Sequence, residues 1–289
     1  MLDETNYDNL WRRPDTVSLT GQGCVLAIID QPLWREHPGY KNNLLDMKSV
    51  NGADPEGVSY HGAAVTSIAA GEIGAARDVK IVYRAIETWH GRENCLNNCA
   101  DALRGLQTYV AAGNRLDGIS ISLGWKRNEP DASTNIDIIQ WFEARNIPVF
   151  TTNDRIAYPC GRQGLANDWR NSAWNIEEDQ IAIPVDHRLI AHNGQSDINK
   201  ADGSLYYRCG NGGISWAVPF VAGMFALARE AQPGITREQF SRMLRDTAQT
   251  VDFGDGVELP MANISAFTTA LMPSLALPQN VRSFPEARR

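Results

Sequence analysis

Short apolar runs of strand length, interleaved with segments of helical length, constrain the fold of this chain more than any other feature. CVLAIID, which starts at Cys24, is almost continuously apolar, and KIVYRAI, GISISLG, IPVFTT and QIAIPV read likewise. Such a run suits a parallel strand covered on both faces, because a half-solvated strand would alternate apolar with polar residues. Between the runs, GAAVTSIAAG, NCADALRGLQTYVAAG and NIDIIQWFEARN have the spacing and length of helices. The second and third close at Gly113 and Asn146, residue types that tolerate the left-handed conformation just past a helix. Strand and helix in alternation predict an α/β fold, with a doubly wound, mostly parallel β-sheet carrying helices on both faces. No Ser/Gly-rich or Pro-rich linker divides the 289 residues, so a single domain is expected.

Charge and cysteine usage narrow the partners. Thirty-four acidic and 27 basic residues give a net charge of -7, with no basic run to grip a phosphate backbone, so no nucleic acid partner is expected. No apolar stretch approaches the roughly 20 residues needed to span a bilayer, so no membrane is expected either. The start, MLDETNYDNLWRRPD, lacks the apolar core of a signal peptide. That predicts a cytoplasmic protein, with a secreted one trimmed at its front as the alternative. Five cysteines, Cys24, Cys95, Cys99, Cys160 and Cys209, leave at least one unpaired, which leans toward a reducing compartment. Cys95 and Cys99 would share a helix face and suit a metal pair or a local disulfide. Without a second ligand pair at zinc-site spacing, plain thiols are the preferred reading, and no metal or other cofactor is expected.

In a doubly wound sheet function gathers at the carboxyl ends of the strands. Asp30 ends the first run, while His61 opens one helical segment and Ser215 lies at the head of another, GISWAVPFVAG. A serine hydroxyl is a poor nucleophile unless a neighbouring base takes its proton and a carboxylate fixes the tautomer of that base. Asp, His and Ser in that order are one of three chain orders in which this constellation recurs. Singly, each has a plainer explanation: Ser215 as a helix N-cap, Asp30 as a loop cap, His61 as a histidine near the surface.

The flanking residues resemble those of the subtilisin-like serine proteases. The histidine segment of that family, roughly HGTHVAGTIA, is similar to HGAAVTSIAA, which keeps His61, Gly62, Val65 and Ala70. Its serine segment, roughly GTSMASPHVAG, shares Gly213, Ser215, Ala217, Pro219, Val221, Ala222 and Gly223. GISISLGW resembles the VINMSLG strand, and PVFTTND the PVVAAGN strand end. The resemblance runs from about Leu19 to Leu271. It implies a subtilisin-like catalytic domain over 19–272, flanked by an N-terminal arm at 1–18 and a tail at 273–289. Asp30, His61 and Ser215 would then be catalytic, with Asn153 in the oxyanion hole. Ser122, Leu123 and Gly124 would pair with an extended peptide or protein substrate, and Thr151 and Thr152 would wall the pocket for the residue before the cleaved bond. Further domains or partner subunits outside this chain are compatible with that reading.

Departures from the family pattern qualify what the resemblance implies. Thr152 replaces the Gly that precedes the family's Asn, where a side chain narrows the pocket or tilts Asn153. Only Glu72 and Ile73 stand between IAAG and GAARDVKIVY, where many secreted members carry a calcium loop, so the main reason to predict calcium is missing, weaker sites elsewhere being left open. Trp89, His90 and Arg92 fall at the family's other cleft edge, as peptide contacts or as an ordinary exposed loop. Pro219 is expected in the first turn of its helix, and Ala217, Ala222 and Gly223 to let that helix approach the sheet. His37, His90, His187 and His192 read as structural or exposed, and Trp169, Trp174 and Trp216 as core or cleft wall. The residues are compatible with three activities: a serine endopeptidase, with a dedicated processing protease as its narrower form; a pseudoprotease scaffold; and an esterase. The last lacks its G-x-S-x-G elbow around Ser215.

Overall fold

The first apolar run forms strand β1 (Val25–Asp30) at the centre of a five-stranded sheet in the computed structural model. The structure describes residues 18–53, 59–88, 92–125, 129, 132–154, 156–161, 168, 180–192, 205–252 and 258–272. β1 is flanked by β3 (Lys80–Ala85) and β4 (Gly118–Ile121), and the edges are β2 (Leu44–Ser49) and β5 (Val149–Thr151). Every pairing in this sheet is parallel. Parallel neighbours need crossovers, and helices α1 (Tyr60–Ala69), α2 (Arg92–Ala111) and α3 (Ala132–Glu143) supply them.

Alternation along β1 explains why its sequence is apolar throughout. Leu26 and Ile28 enter one core with Ile81, Tyr83 and the residues of α1, while Val25, Ala27 and Ile29 enter another with Leu103, Leu106 and Phe142 of α2 and α3. Successive side chains of a strand point to opposite faces, so helices on both sides demand apolar residues at both parities. Gly113 and Asn146 end their helical segments at φ 86° and 56°, the left-handed conformation expected of them.

QIAIPV departs from the simplest expectation. Its strand, β7 (Ile181–Pro184), joins β6 (Ala157–Cys160), β10 (Gln249–Asp252) and β11 (Glu258–Met261) in a second sheet of order β10-β11-β7-β6. β8 (Leu189–Ala191) and β9 (Tyr206–Arg208) form a separate antiparallel pair. Apolar periodicity specifies that a strand is buried, and it does not specify which strand lies beside it.

Helix α4 (Ile214–Ala231) is buried without interruption from Trp216 to Arg229 and forms the spine of the first core. It lies against α1 at Gly223, where an added Cβ would sit 2.8 Å from the Cβ of Ala75 and 2.9 Å from the carbonyl of Ala69. The small residue expected to let α4 approach the sheet therefore admits another helix. Among the described residues two further helices follow. α5 (Arg237–Asp246) opens with a capping box between Thr236 and Gln239, and α6 (Ile264–Leu271) is capped by Asn263. No helix among the described residues is long and apolar enough to cross a membrane. Most of the sequence-defined arm and tail, and also Trp89, His90, Trp169 and Trp174, lie outside the described residues, as does the side chain of Arg92.

Candidate active site

Asp30 is the last residue of β1 and is 3% exposed. Its Oδ1 lies 2.7 Å from His61 Nδ1 and also accepts the backbone N–H of Gln31 at 2.8 Å. A strand end and a helix start, 31 residues apart in sequence, thus bring a carboxylate and an imidazole into contact. His61 is the second residue of α1, whose N-cap Ser59 accepts its backbone N–H at 3.1 Å. Burial disfavours charge on the imidazole, but the charge of Asp30 and its hydrogen bond together outweigh that and raise the pKa above the ordinary histidine value. With Nδ1 facing the carboxylate, Nε2 is the ring nitrogen left for proton transfer, and the side chain of His61 keeps 20% of its exposure.

Ser215 is the second residue of α4. The N-cap is Gly213, in extended conformation, so the plainer explanation of Ser215 as a cap does not hold. A residue in the first turn has a backbone N–H with no partner inside the helix, aligned with the positive end of the helix dipole. Trp216, next in sequence, sets its ring 5.3 Å from that of His61, tilted by 36°. The start of α4 and the start of α1 therefore meet.

Pro219 falls in the second turn of α4, one turn later than expected. It has no N–H to give to the carbonyl four residues back, which is that of Ser215. Ser122 Oγ donates to this carbonyl instead, at 3.0 Å. Ser122 is one of the residues expected to meet substrate, and here its hydroxyl ties the end of β4 to the turn that carries Ser215.

The remaining predicted residues gather where β4 and β5 end. Thr152 N donates to the carbonyl of Leu123 at 3.1 Å, and Asn153 N donates to Thr151 Oγ1 at 3.1 Å. The Asn153 side chain is exposed and spans Trp125: Oδ1 accepts the Trp125 N–H at 3.2 Å, while Nδ2 donates to the Trp125 carbonyl. An amide nitrogen carries two protons, so one remains for another acceptor. Gly124 is a close approach, because a Cβ there would collide with Thr152 Oγ1 and Asn153 Oδ1. Thr152 thus fills the space between the two strand ends.

Sequence reasoning missed four residues of this neighbourhood. Gln31 and Tyr83 carried no signal, since an uncharged polar residue after a strand and a tyrosine within one are ordinary. Ser59 was detectable as an N-cap preceding a small, apolar helix. Trp125 sits at the end of GISISLGW, yet it is buried with Leu96 and Ala132, and its backbone is what engages Asn153. All five cysteines are thiols, and among the described residues no group of three or more metal-ligating side chains converges. Of the other histidines, His37 and His192 are buried, and His37 stacks on Tyr40 with ring centroids 4.8 Å apart.

No protein-family profile and no curated protein matches this chain. Solved structures do match it. The prenylagaramide maturation protease PagA is 19% identical over 86% of this chain and 94% of its own, with a TM-score of 0.58. The patellamide maturation protease PatA is 19% identical over 86% and 97%, with a TM-score of 0.56. A cold-adapted subtilisin-like serine proteinase is 16% identical over 88% and 93%, with a TM-score of 0.57. The chain has the subtilisin-like fold.

Proposed function

We propose that this chain is a serine endopeptidase that cleaves a peptide or protein substrate through an acyl-enzyme. The observation that carries the reading is the Asp30–His61 hydrogen bond at the mouth of the helix that presents Ser215. In this mechanism His61 Nε2 takes the proton of Ser215 Oγ as the oxygen attacks the scissile carbonyl. Asp30 holds Nδ1–H and stabilises the imidazolium. The tetrahedral oxyanion is met by the Ser215 N–H at the start of α4 and by the second proton of Asn153 Nδ2. His61 then protonates the leaving amine, and water releases the acyl group. Removing one oxyanion donor typically costs about 3 kcal/mol of barrier.

The likeness to two maturation proteases supports a dedicated processing role over general digestion. One observation favours a second reading, a catalytically impaired scaffold: the amide of Asn153 is engaged by Trp125 on both sides of its carboxamide. Labelling with a fluorophosphonate, beside Ser215→Ala, tests the nucleophile, and a mixed peptide library tests the substrate class. Labelling that disappears in the variant, together with peptide turnover by the parent, is the expected result. Labelling that survives the substitution would overturn the assignment, and labelling without peptide turnover would favour the scaffold or an esterase.

A further inference from the structure

The Asp30–His61 contact joins two elements that share no backbone hydrogen bond ladder, so something must fix their separation. Gln31 occupies the junction with all four of its hydrogen-bonding groups. Its N–H donates to Asp30 Oδ1 at 2.8 Å, and its carbonyl accepts the hydroxyl of Tyr83 from β3. Its side-chain Nε2 donates to Thr88 Oγ1 at 2.8 Å, just past the end of β3. Oε1 accepts the hydroxyl of Ser59, the N-cap of the helix that carries His61. Ser59 in turn donates its own N–H to the carbonyl of Pro32 at 2.9 Å. The helix start presses on this junction, because a Cβ at Gly62 would collide with the carbonyl of Gln31 and come within 2.6 Å of Tyr83 Oη.

From this convergence we infer that Gln31 is a positioning residue for the Asp30–His61 pair, holding the helix cap at a fixed distance from the strand end. The inference rests on the proposed protease mechanism only for its kinetic consequence. A side chain whose amide reaches Ser59 on one side and Thr88 on the other resists sliding of α1 along the sheet, and displacement of a catalytic group by about 1 Å commonly lowers rates by roughly 100-fold. Neither Gln31 nor Thr88 touches substrate in this scheme, so their effect should fall on the chemical step.

The test compares Gln31→Met, which keeps length but removes both side-chain hydrogen bonds, with Gln31→Glu, which keeps an acceptor for Ser59 while Thr88 can turn its hydroxyl to donate. Two readouts are taken on the full chain: steady-state peptide cleavage, and titration of the His61 ring by NMR. For Gln31→Met the expected result is a fall in kcat of about 10- to 100-fold with KM within about twofold. The His61 titration should move down toward the ordinary histidine value, because the raising influence of Asp30 weakens with distance. Gln31→Glu should recover most of kcat. An unchanged titration and unchanged kcat in a folded Gln31→Met protein would overturn the inference. If the parent shows no turnover yet the titration still drops, the protease reading fails and the positioning role stands. Should Gln31→Met not fold, Thr88→Val cuts the strand side of the same tie and is expected to shift the titration in the same direction.

Discussion

At the scale of single residues, the proposed protease mechanism makes Thr152 the side chain that limits the substrate residue before the cleaved bond. The family pattern has Gly at this position, and here the hydroxyl lies against Gly124 while the Thr152 N–H bonds to Leu123. The slot between the two strand ends is filled from within. A protease built this way should favour Gly, Ala or Ser before the cleaved bond. Thr152→Gly should shift the cleavage profile toward larger residues, improving kcat/KM for a Leu-containing peptide relative to its Ala counterpart by about tenfold, in line with the 1 to 3 kcal/mol that a methylene or two is worth in a pocket. A library profile that does not change on substitution would show that the slot is not where the side chain goes. The imidazole makes a second prediction at this scale. The proposed mechanism needs neutral His61, so the rate should rise with pH through a value above that of an ordinary histidine, because Asp30 favours the charged form. Asp30→Asn should move this limb to lower pH and depress kcat by roughly 10⁴-fold, since the wrong tautomer is then held. The contact between Asp30 and His61 was legible in the sequence because both residues sit in segments with recognisable neighbours. Gln31 was not, because its importance comes only from what the fold sets around it.

At the scale of elements, the site depends on how closely two helices approach. α1 delivers His61 and α4 delivers Ser215, and the pair touch through Gly223 where α1 ends. Gly223→Val would place a branched side chain against the Ala69 carbonyl and the Ala75 methyl. We expect a loss of about 2 kcal/mol of stability from overpacking, seen as a lower denaturant midpoint with an unchanged slope. We also expect a fall in kcat larger than that of a core substitution of similar cost on the α2 and α3 side of the sheet, such as Leu106→Ala. Equal kinetic effects for the two would show that the α1–α4 spacing does not govern the site. Strands β1, β3, β4, β5 and β7 and helices α1, α2 and α3 were readable from apolar runs and helical spacing, and the ends of α2 and α3 from Gly113 and Asn146. The placement of Pro219 was not, because the start of α4 is set by an extended Gly213 rather than by a capping side chain. One turn of error there concealed the link between Ser122 and the Ser215 carbonyl. The assignment of β7 to a second sheet was likewise beyond pattern, since strand partners are chosen by tertiary packing and not by periodicity.

At the scale of the whole molecule, the cysteines report whether the two cores on either side of the sheet stay closed. Cys24 is buried on the α4 side, Cys99 lies on the core face of α2, and Cys160 ends β6, each at or below 1% exposure. Desolvation pushes the thiol of Cys24 up to about 12, with the negative charge of Asp117 adding to it, and burial raises Cys99 and Cys160 as well. A thiol at about 12 is ionised to roughly one part in 10⁴ at pH 8, and only the thiolate attacks a disulfide reagent. Cys209 is the one half-buried thiol, lying in the loop between β9 and α4 with its Sγ 3.0 Å from the carbonyl of Asn211. Burial raises it too, but a reagent can reach it. Folded protein treated with an aromatic disulfide at pH 8 should therefore release about one equivalent quickly, and Cys209→Ser should remove that phase. The other four should react only at the rate at which the domain opens, so their kinetics should track the denaturant dependence of unfolding. Fast reaction of two or more thiols in the folded protein would mean that one core opens independently of the other. If Cys24 is among them, the core shared by α1 and α4 is the one that opens, and the spacing of the helix starts that carry His61 and Ser215 would fluctuate on the same timescale.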